Sequence, residues 1–580
     1  MTLIDPLISG SGLRLPIERK FVNGLTSSSL FSGWPMSKEP AIRELDVVVI
    51  GAGFSGLFMN HRLRDTLGLD VHVIEAGAGV GGTWYWNRYP GARCDSEAYI
   101  YCFAFDQDLM QEWEWSGKYP EQPEILNYLN HVADRFDLRR NMSFETRVTS
   151  AHFDESTKIW DVKTDKGEHY RCRYFITGIG CLSSGQIPDF LGRDTFTGEA
   201  YHTGAWPHEG VDFAGKKVAV IGTGSSGVQS IPVIAAEAEH LTVFQRTPQY
   251  MIPARHGNVD KSVLDEIKTR YETIYEKARH SVGGFPYDVQ DRSALDVNDE
   301  QRQEILEQSW EDGGFKFMFN SFSDLRTSLP ASELAGEFIR EKIKEIVNDP
   351  EVAERLLPLD HPFGSKRVLI DTNYFDTFNR DNVRLVDINV EPINEITETG
   401  ILAGEEQHDF DVIVYATGFD AMTGSFNKID VRGRNGEKLK DKWEAGPLTY
   451  LGLTSVGFPN MFMITGPGSP SVLSNMPIAI EQHVEMITDI IRHMDGSGIE
   501  LIEAEADAET AWVQHVNELA EPTMFMHANS WYLGANIPGK PRVFMPYAGG
   551  VGTYRKHCEE VVANGYEGFT LTSADESVSA

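Results

Sequence analysis

Cysteine is scarce in this chain. Only five cysteines occur among 580 residues, and none of them forms a C-x-x-C pair. An odd, unpaired set argues against a disulfide framework, and the missing C-x-x-C pairs argue against a zinc site or a dithiol redox centre. We therefore predict a protein of the reducing cytoplasm whose cysteines are small core residues; they are Cys94, Cys102, Cys172, Cys181 and Cys558.

Long apolar runs and basic residues are also few. No run approaches the roughly 18 residues that a membrane span needs, and residues 1–43 lack the pattern of a secretory signal. The chain has 52 Lys and Arg against 86 Asp and Glu, a formal net charge of −34. Because this charge repels phosphate backbones and anionic lipid, we expect neither nucleic acid nor a membrane as a partner. We expect a monomer or a weak homo-oligomer.

What the chain does contain is one pattern that occurs twice: a buried strand, a glycine-rich turn and a helix. The first strand is the β-branched run 46–50 and the second is 217–221. Each strand runs into a G-x-G-x-x-G turn that opens a helix. The pattern predicts an α/β fold with two Rossmann-like dinucleotide-binding domains. A third match, over 77–82, is followed by Trp84, Tyr85 and Trp86 instead of an amphipathic helix, so we reject it as a fingerprint.

The residue that ends the second strand of each unit distinguishes the two nucleotides. Glu75 ends the first unit, and a carboxylate there accepts hydrogen bonds from a ribose hydroxyl, as FAD or NAD requires. Arg246 ends the second unit, where a guanidinium suits the 2′-phosphate of NADPH. We therefore assign FAD to the first domain and NADPH to the second. The glycines of the two turns are Gly51, Gly53 and Gly56, and Gly222, Gly224 and Gly227.

The predicted order along the chain follows from these units. Residues 1–43 form an irregular extension, 44–180 the first part of the FAD-binding domain, 181–415 the NADPH-binding domain, 416–574 the second part of the FAD-binding domain, and 575–580 a polar tail. Between about 259 and 357 the sequence is charged and has helical spacing, which predicts a helical insertion in the NADPH-binding domain.

A further motif narrows the chemistry. A flavin-dependent disulfide reductase needs a C-x-x-x-x-C pair, which this chain lacks. Residues Phe196 to Pro207 read F-x-G-x-x-x-H-x-x-x-W-P, which resembles the signature of the type I Baeyer–Villiger monooxygenases. The resemblance runs from about Leu45 to Thr572, and the flavin-side segment 81–95, the Lys366-Arg367 pair and the loops 416–420 and 530–540 match it. It is strongest to the members that oxidise phenylacetone and steroids, whose active-site bulge resembles residues 466–476.

The resemblance implies an enzyme that uses NADPH, FAD and O₂ to insert an oxygen atom beside a ketone carbonyl through a flavin peroxide, giving an ester or lactone. It implies that Arg367 stabilises the negative charges of this reaction and that Asp95 holds Arg367 in place. His202 of the motif is interpreted as a linker between domains and not as an acid or base.

The resemblance and the two fingerprints together nominate the site residues. Expected cofactor contacts are Gly51, Gly53, Phe54, Ser55, Gly56, Glu75, Gly82, Thr83, Trp84, Asp95, Tyr101, Gly222, Thr223, Gly224, Ser225, Ser226, Gly227, Arg246, Thr247, Lys366, Arg367 and Trp531. The expected substrate pocket comprises Cys181, Leu182, Ser471, Val472, Leu473 and Met476, whose apolar character favours a hydrophobic aryl or cyclic ketone. Cys181 stands where phenylacetone-oxidising members carry glutamine, which should leave room for bulkier ketones. No metal site is expected.

Two other functions stay open at this stage. A related flavoprotein that oxygenates nitrogen or sulfur would share both nucleotide sites, although such enzymes lack the Trp206-Pro207 pair. A non-catalytic FAD-fold carrier would not need a second fingerprint that ends in Arg246.

Overall fold

The computed structural model describes residues 41–573. The predicted extension falls outside the described residues except at its end, where the first strand already begins at Ile42. The predicted tail 575–580 also lies outside them. Within the described part, no helix is both long enough and apolar enough to cross a membrane.

The described residues form twenty strands. In chain order they are β1 (Ile42–Ile50), β2 (Val71–Ile74), β3 (Met142–Ser143), β4 (Val148–Asp154), β5 (Ile159–Thr164), β6 (His169–Thr177), β7 (Glu199–His202), β8 (Lys217–Ile221), β9 (His240–Gln245), β10 (Met251–Pro253), β11 (Leu369–Asp371), β12 (Val383–Asp387), β13 (Ile393–Ile396), β14 (Gly400–Ala403), β15 (Glu406–Asp409), β16 (Val412–Tyr415), β17 (Asp430–Arg432), β18 (Met461–Met463), β19 (Ile499–Ala504) and β20 (Phe569–Ser573).

The same residues form sixteen α-helices. They are α1 (Phe54–Asn60), α2 (Thr83–Trp86), α3 (Gln107–Glu112), α4 (Gln122–Arg135), α5 (Ser225–Glu237), α6 (Lys261–Lys268), α7 (Tyr271–Arg279), α8 (Asp299–Asp312), α9 (Lys316–Asn320), α10 (Leu329–Ile346), α11 (Pro350–Leu356), α12 (Tyr374–Thr377), α13 (Leu439–Lys442), α14 (Met476–Ser497), α15 (Ala506–Ala520) and α16 (Val551–Ala563). A π-helical turn, His61–Thr66, continues α1.

The first sheet combines two distant stretches of chain. Its order is β17-β4-β5-β6-β1-β2-β3, with β18 also paired to β6. Strand β1 lies parallel to β2 and β6, and its side chains alternate between two cores. Val47 and Val49 pack with Leu57 of α1 on one face, and Val48 packs with Trp160 on the other. This burial on both faces explains the continuous apolar run in the sequence.

The second sheet is parallel throughout and has the order β12-β9-β8-β16-β7. Its strand β8 leads through the second glycine turn into α5. Because β16 lies in this sheet while β17 and β18 lie in the first, the chain crosses back between Tyr415 and Asp430. Six helices, α6 to α11, stand between β10 and β11. The predicted fold class, with two dinucleotide-binding folds and a helical insertion, is confirmed.

Candidate active site

The first glycine turn is closed by contacts that only glycine permits. Gly51 has φ +95°, and a Cβ on Gly56 would lie 1.7 Å from the Gly51 carbonyl oxygen. The turn also touches the segment after β2, since a Cβ on Gly82 would lie 2.8 Å from the Cα of Gly53. Phe54 and Ser55 begin α1 directly after the turn. The amide groups at the start of this helix therefore face the space in front of the turn, where a pyrophosphate binds in such folds.

Glu75 lies just beyond β2, and its carboxylate is hydrogen-bonded to the backbone of the same turn. It is 4% exposed, and its two carboxylate oxygens accept hydrogen bonds from the backbone N–H groups of Ala52, at 2.7 Å, and Gly77, at 2.6 Å. Burial raises the pKa of this carboxyl, although both backbone bonds oppose the shift. Each oxygen keeps a lone pair for a further donor, so the residue fits the ribose of a bound dinucleotide.

An aromatic wall stands beside this first turn. Trp84 of α2 donates its indole N–H to the Tyr101 hydroxyl at 3.2 Å, and the Tyr101 ring meets Phe54 edge-on at a centroid distance of 5.3 Å. Burial raises the pKa of Tyr101, so its hydroxyl stays neutral. Thr83 begins α2 and is exposed. The wall thus places neutral, planar side chains next to the first glycine turn.

The second glycine turn has the same construction with an open mouth. Gly222 has φ +109°, and a Cβ on Gly227 would lie 2.2 Å from the Gly222 carbonyl oxygen. A Cβ on Gly224 would meet nothing within 4 Å. Thr223 donates its hydroxyl to the Thr247 carbonyl at 3.1 Å, so the turn is tied to the end of the neighbouring strand. Ser225 and Ser226 begin α5, and the Ser226 hydroxyl bonds to Thr203.

Two cations stand at this mouth. Arg246 follows β9 and is exposed, whereas Lys366 is mostly buried, and the carboxylate of Asp360 lies 3.9 Å from its ammonium group. Burial lowers the pKa of Lys366, Asp360 raises it and the charge of Arg246 lowers it further. The two cations are thus close enough to repel each other, which makes the position favourable for a group with two negative charges such as a phosphate monoester.

The Arg367 guanidinium is held in a fixed position between the two domains. Its Nη2 and Nε donate to Oδ2 of Asp95 at 2.8 and 3.2 Å, and its Nη1 donates to the Val472 carbonyl at 3.2 Å. Its cationic carbon lies 5.5 Å from the ring centre of Phe315. Burial alone would lower the pKa of Arg367, but Asp95 and the Tyr532 hydroxyl outweigh it, and the net pKa is raised. The side chain is nevertheless 29% exposed, so the charge is accessible.

Asp95 is in turn held by the second domain. Its other oxygen, Oδ1, accepts from the Gln229 side chain of α5 at 3.4 Å. The amide of Gln229 also accepts from the Tyr89 hydroxyl at 2.8 Å and donates to the Arg93 carbonyl at 3.1 Å. A Cβ on Gly91 would lie 2.2 Å from the Gln229 carbonyl. The helix that starts at the second glycine turn therefore positions the carboxylate that positions Arg367.

The residues predicted to form a substrate pocket come together beside Arg367. Five of them lie in one apolar cluster, with Cys181 and Val472 buried and with Leu182, Leu473 and Met476 packed against them. The sixth, Ser471, is fully buried and lies in the same turn as Val472. The cluster also contains Met422, Phe525, Tyr532 and Phe544, and Trp531 packs against it.

Cys181 makes contacts that the sequence did not suggest. Its sulfur lies 2.9 Å from the Ser471 hydroxyl and 3.4 Å from the Thr465 carbonyl, and its own carbonyl accepts from the Met422 N–H at 2.9 Å. These three partners are non-glycine residues with positive φ, namely +40°, +56° and +64°. Such backbone costs about 1–3 kcal/mol per residue and persists only where surrounding contacts enforce it. Because burial raises the pKa of the thiol, it stays protonated and able to donate.

Other residues around the site were missed by the sequence prediction. They are Gln229, Phe315, Met422, Thr465 and Tyr532. Tyr532 is adjacent to Trp531, within a segment that had been singled out, and their rings lie 4.3 Å apart. The remaining four carried no local signal, because each acts through a contact with a residue far away in the chain.

His202 makes contacts that agree with its interpretation as a linker residue. Its Nδ1 accepts from the Gly204 N–H, and its Nε2 lies 3.1 Å from the Gly418 carbonyl. Both ring nitrogens therefore contact backbone groups of the linker segments.

Comparisons with known proteins agree with this geometry. A family model described as pyridine nucleotide-disulphide oxidoreductase matches residues 48–285, although all five cysteines, which lie in the described part, are unpaired. A Baeyer–Villiger monooxygenase of Pseudooceanicola batsensis is 45% identical over 92% of this chain and 98% of its own length. The chain belongs to the Baeyer–Villiger monooxygenase family.

Solved structures of similar proteins cover the same range. A steroid monooxygenase, solved oxidised and bound to NADP, is 50% identical with a TM-score of 0.88, over 92% of this chain and all of its own. The protein OTEMO, solved in complex with FAD and NADP, is 42% identical with a TM-score of 0.88, over 92% of this chain and all of its own. The predicted family is thereby confirmed.

Alanine substitutions at two glycines of the second turn should have different effects, one on nucleotide binding and the other on stability. Gly224→Ala places a methyl group in the open mouth, so the protein should fold and retain FAD but bind NADPH about tenfold more weakly, because the backbone can no longer approach a pyrophosphate. Gly227→Ala places it against the Gly222 carbonyl and should lower stability by about 1–3 kcal/mol. Calorimetric titration with NADP⁺ and thermal unfolding check both. Unchanged NADP⁺ affinity in Gly224→Ala would contradict the assignment of this turn.

The bond between Cys181 and Ser471 can be tested by a double-mutant cycle. Cys181→Ala and Ser471→Ala should each lower the thermal unfolding midpoint, and the double variant should lose less than the sum of both, because residues in contact couple by about 0.5–3 kcal/mol. Cys181→Ser keeps a donor and should recover most of the loss. Cys172→Ala, another fully buried thiol, paired with Ser471→Ala is the matched control and should be additive. Strict additivity in the Cys181 cycle would show that the bond has no energetic role.

Proposed function

We propose that this chain is an FAD- and NADPH-dependent monooxygenase that inserts one atom of O₂ beside the carbonyl group of a ketone and releases an ester or lactone. The observation that carries this proposal is the Arg367 guanidinium, fixed by Asp95 at 2.8 Å and by the Val472 carbonyl at 3.2 Å. It combines a permanent charge with an apolar cluster that can receive a ketone, at the junction of the two domains.

Bound FAD and NADPH supply the electron transfer and the activation of O₂ in this chemistry. The first turn, with Glu75 and the wall of Trp84 and Tyr101, is the proposed FAD site, because its buried carboxylate suits a ribose and excludes a 2′-phosphate. The second turn, with Arg246, Thr247 and Lys366, is the proposed NADPH site. Trp531 is proposed to contact the ribose on the nicotinamide side of that nucleotide.

Arg367 is the proposed catalytic residue. Oxygen insertion places negative charge on the carbonyl oxygen of the ketone as the new bond forms. A guanidinium with a raised pKa carries its positive charge at every working pH and needs no proton transfer to provide it. A fixed donor of this kind is worth about 10²–10³ in rate.

Asp95 is proposed to orient Arg367. Two donors of the guanidinium end on one oxygen of Asp95, which leaves the Nη1 side directed at Val472 and the apolar cluster. Gln229 occupies the other oxygen, so the carboxylate cannot rotate away without breaking a contact to α5. A movement of the second domain that displaces α5 would therefore be transmitted to Arg367.

The substrate class follows from the cluster next to the guanidinium. Leu182, Val472, Leu473 and Met476 are apolar, and they give a charged ketone nothing to pair with. We infer a hydrophobic ketone, aryl-substituted or cyclic. Cys181 is hydrogen-bonded to Ser471. The cysteine therefore affects the size of the accepted substrate in two ways, through its own small volume and through the position of the turn that carries Val472.

Product analysis tests the reaction and the role of Arg367 together. The purified holoenzyme with NADPH and ¹⁸O₂ should convert aryl, cyclic or steroidal ketones to esters or lactones that carry one ¹⁸O atom. Arg367→Ala should still bind FAD and be bleached by NADPH without oxygen, because hydride transfer does not need the guanidinium, while ester formation falls at least about 100-fold.

Arg367→Lys is the matched control, since it keeps the charge but loses the fork that spans Asp95 and Val472. It should fall between the native enzyme and Arg367→Ala. If sulfides and amines were oxygenated while no ketone gave an ester, the protein would be a heteroatom oxygenase and the proposal would be wrong. Normal ester yield in Arg367→Ala would remove this residue from the reaction.

The choice of nucleotide gives a separate prediction. Each charge-assisted contact to a 2′-phosphate is worth about 1.5–3 kcal/mol, so Arg246→Ala and Lys366→Ala should each raise the KM for NADPH by about 10- to 150-fold and leave the KM for NADH nearly unchanged. Arg384→Ala is the control, because Arg384 lies on the adjacent strand β12 and is paired with Glu406 at 2.7 Å. Equal use of both nucleotides by the native enzyme would contradict the assignment.

A further inference from the structure

A cavity of about 750 Å³ is lined by no residue of either glycine turn. It lies between residues 97–118 on one side and helices α6 and α7 on the other. Its volume is within the range of about 300–1,000 Å³ typical of small-molecule sites. The proposed reaction uses none of the residues that line it.

One part of this cavity is lined by apolar side chains of two helices. Leu264 and Ile267 of α6 and Ile274 of α7 face it, and Trp115 lies among the residues that line it. Val263 of α6 also lines it and is 48% exposed, which is costly for a β-branched apolar side chain beside an existing hollow. An aliphatic chain would fill the hollow and remove this surface from water.

In the polar part of the cavity, two lysines face one carboxylate. The ammonium groups of Lys118 and Lys316 lie 3.8 and 3.7 Å from the same oxygen of Glu97. The other oxygen of Glu97 accepts from the Tyr99 hydroxyl at 2.7 Å and from the Tyr287 hydroxyl at 3.4 Å. Two cations therefore share one carboxylate. Burial lowers the pKa of Lys118, Glu97 raises it and Lys316 lowers it further, so the second lysine adds to the cost of keeping the first one charged.

The other three cations of the lining each have a carboxylate of their own. Arg255 pairs with Glu311 at 2.8 Å and Arg270 with Glu266 at 3.1 Å, while Lys277 pairs with Asp288. Lys118 and Lys316 differ from them, because these two lysines share the carboxylate of Glu97. Two ammonium groups on one carboxylate, beside an apolar hollow, suit the head group of an amphipathic anion.

We propose that this cavity is a binding site for an aliphatic monocarboxylate. The carboxylate binds the ammonium groups of Lys118 and Lys316 on the side away from Glu97, and the chain lies along Trp115, Val263 and Leu264. The site goes beyond the proposed monooxygenase function and does not depend on it. The cavity adjoins the Arg367 site, since Glu97 follows Asp95 by two residues and Lys316 follows Phe315, whose ring faces Arg367.

Calorimetric titration of the FAD-loaded enzyme with sodium octanoate tests the proposal. Octanoate should bind at one site per chain, octan-1-ol at least about tenfold more weakly, and acetate not measurably, because the site needs both a charge and a chain. 8-Hydroxyoctanoate, the acid that results when a lactone of that length opens, should bind more weakly than octanoate, since its hydroxyl would enter the apolar part. Octanol binding as tightly as octanoate, or no octanoate binding at all, would overturn the proposal.

Variants locate the binding. Lys118→Gln combined with Lys316→Gln should weaken octanoate binding at least about tenfold, while Lys556→Gln, a 76% exposed lysine of α16, should leave it unchanged. Val263→Asp changes an exposed position, so it should fold normally, and it should weaken octanoate by repelling its charge and wetting the apolar part. Unchanged affinity in both variants would place the octanoate elsewhere and overturn the site.

The readout separates this inference from the proposed function. Heat of octanoate binding is measured without turnover, whereas ester formation is measured without octanoate. An enzyme that binds octanoate but makes no ester would contradict only the monooxygenase function. An enzyme that makes ester but binds no octanoate would contradict only the carboxylate site.

Discussion

The ion pair between Arg367 and Asp95 is the contact on which the rest of the site depends. Its two members stand 272 residues apart in the chain, and each is held by a different part of the molecule. Asp95 is held by Gln229 of α5, and Arg367 is held by the turn that contains Val472. A partly buried pair of this kind contributes little net stability, because desolvation offsets attraction. Its value here is positional, since it fixes one charge at the meeting point of two domains and an apolar cluster.

Backbone strain around the apolar cluster is consistent with this positioning role of the ion pair. Ser471, Thr465 and Met422 all have positive φ without being glycine, and all three contact Cys181. A protein tolerates such backbone where the geometry it produces is needed. Here the geometry turns the Val472 carbonyl towards Arg367 and its side chain towards the cluster, so that one short turn contributes both to holding the charge and to forming the apolar cluster.

Much of the fold could be predicted because its signals are local. A parallel strand buried on both faces must be apolar throughout, and the turns after β1 and β8 admit only glycine where a Cβ would lie 1.7 or 2.2 Å from a carbonyl oxygen. Glu75 and Arg246 follow from the same local logic, since each comes directly after the second strand of its unit. These residue types are dictated by their own few neighbours in sequence, and the comparisons confirm the fold class and the family.

The sequence by itself therefore determined the two nucleotide-binding folds, the different ends of their second strands and, through a motif, the family. Only the tertiary structure decided that Gln229 holds Asp95, that Cys181 bonds to Ser471, and that Lys118 and Lys316 share Glu97. The physical reason is that each of these contacts joins residues far apart in the chain whose side chains would suit many other partners. Spacing along one strand or helix encodes what that element must bury, but it carries no record of which distant side chain the folded chain will bring into contact.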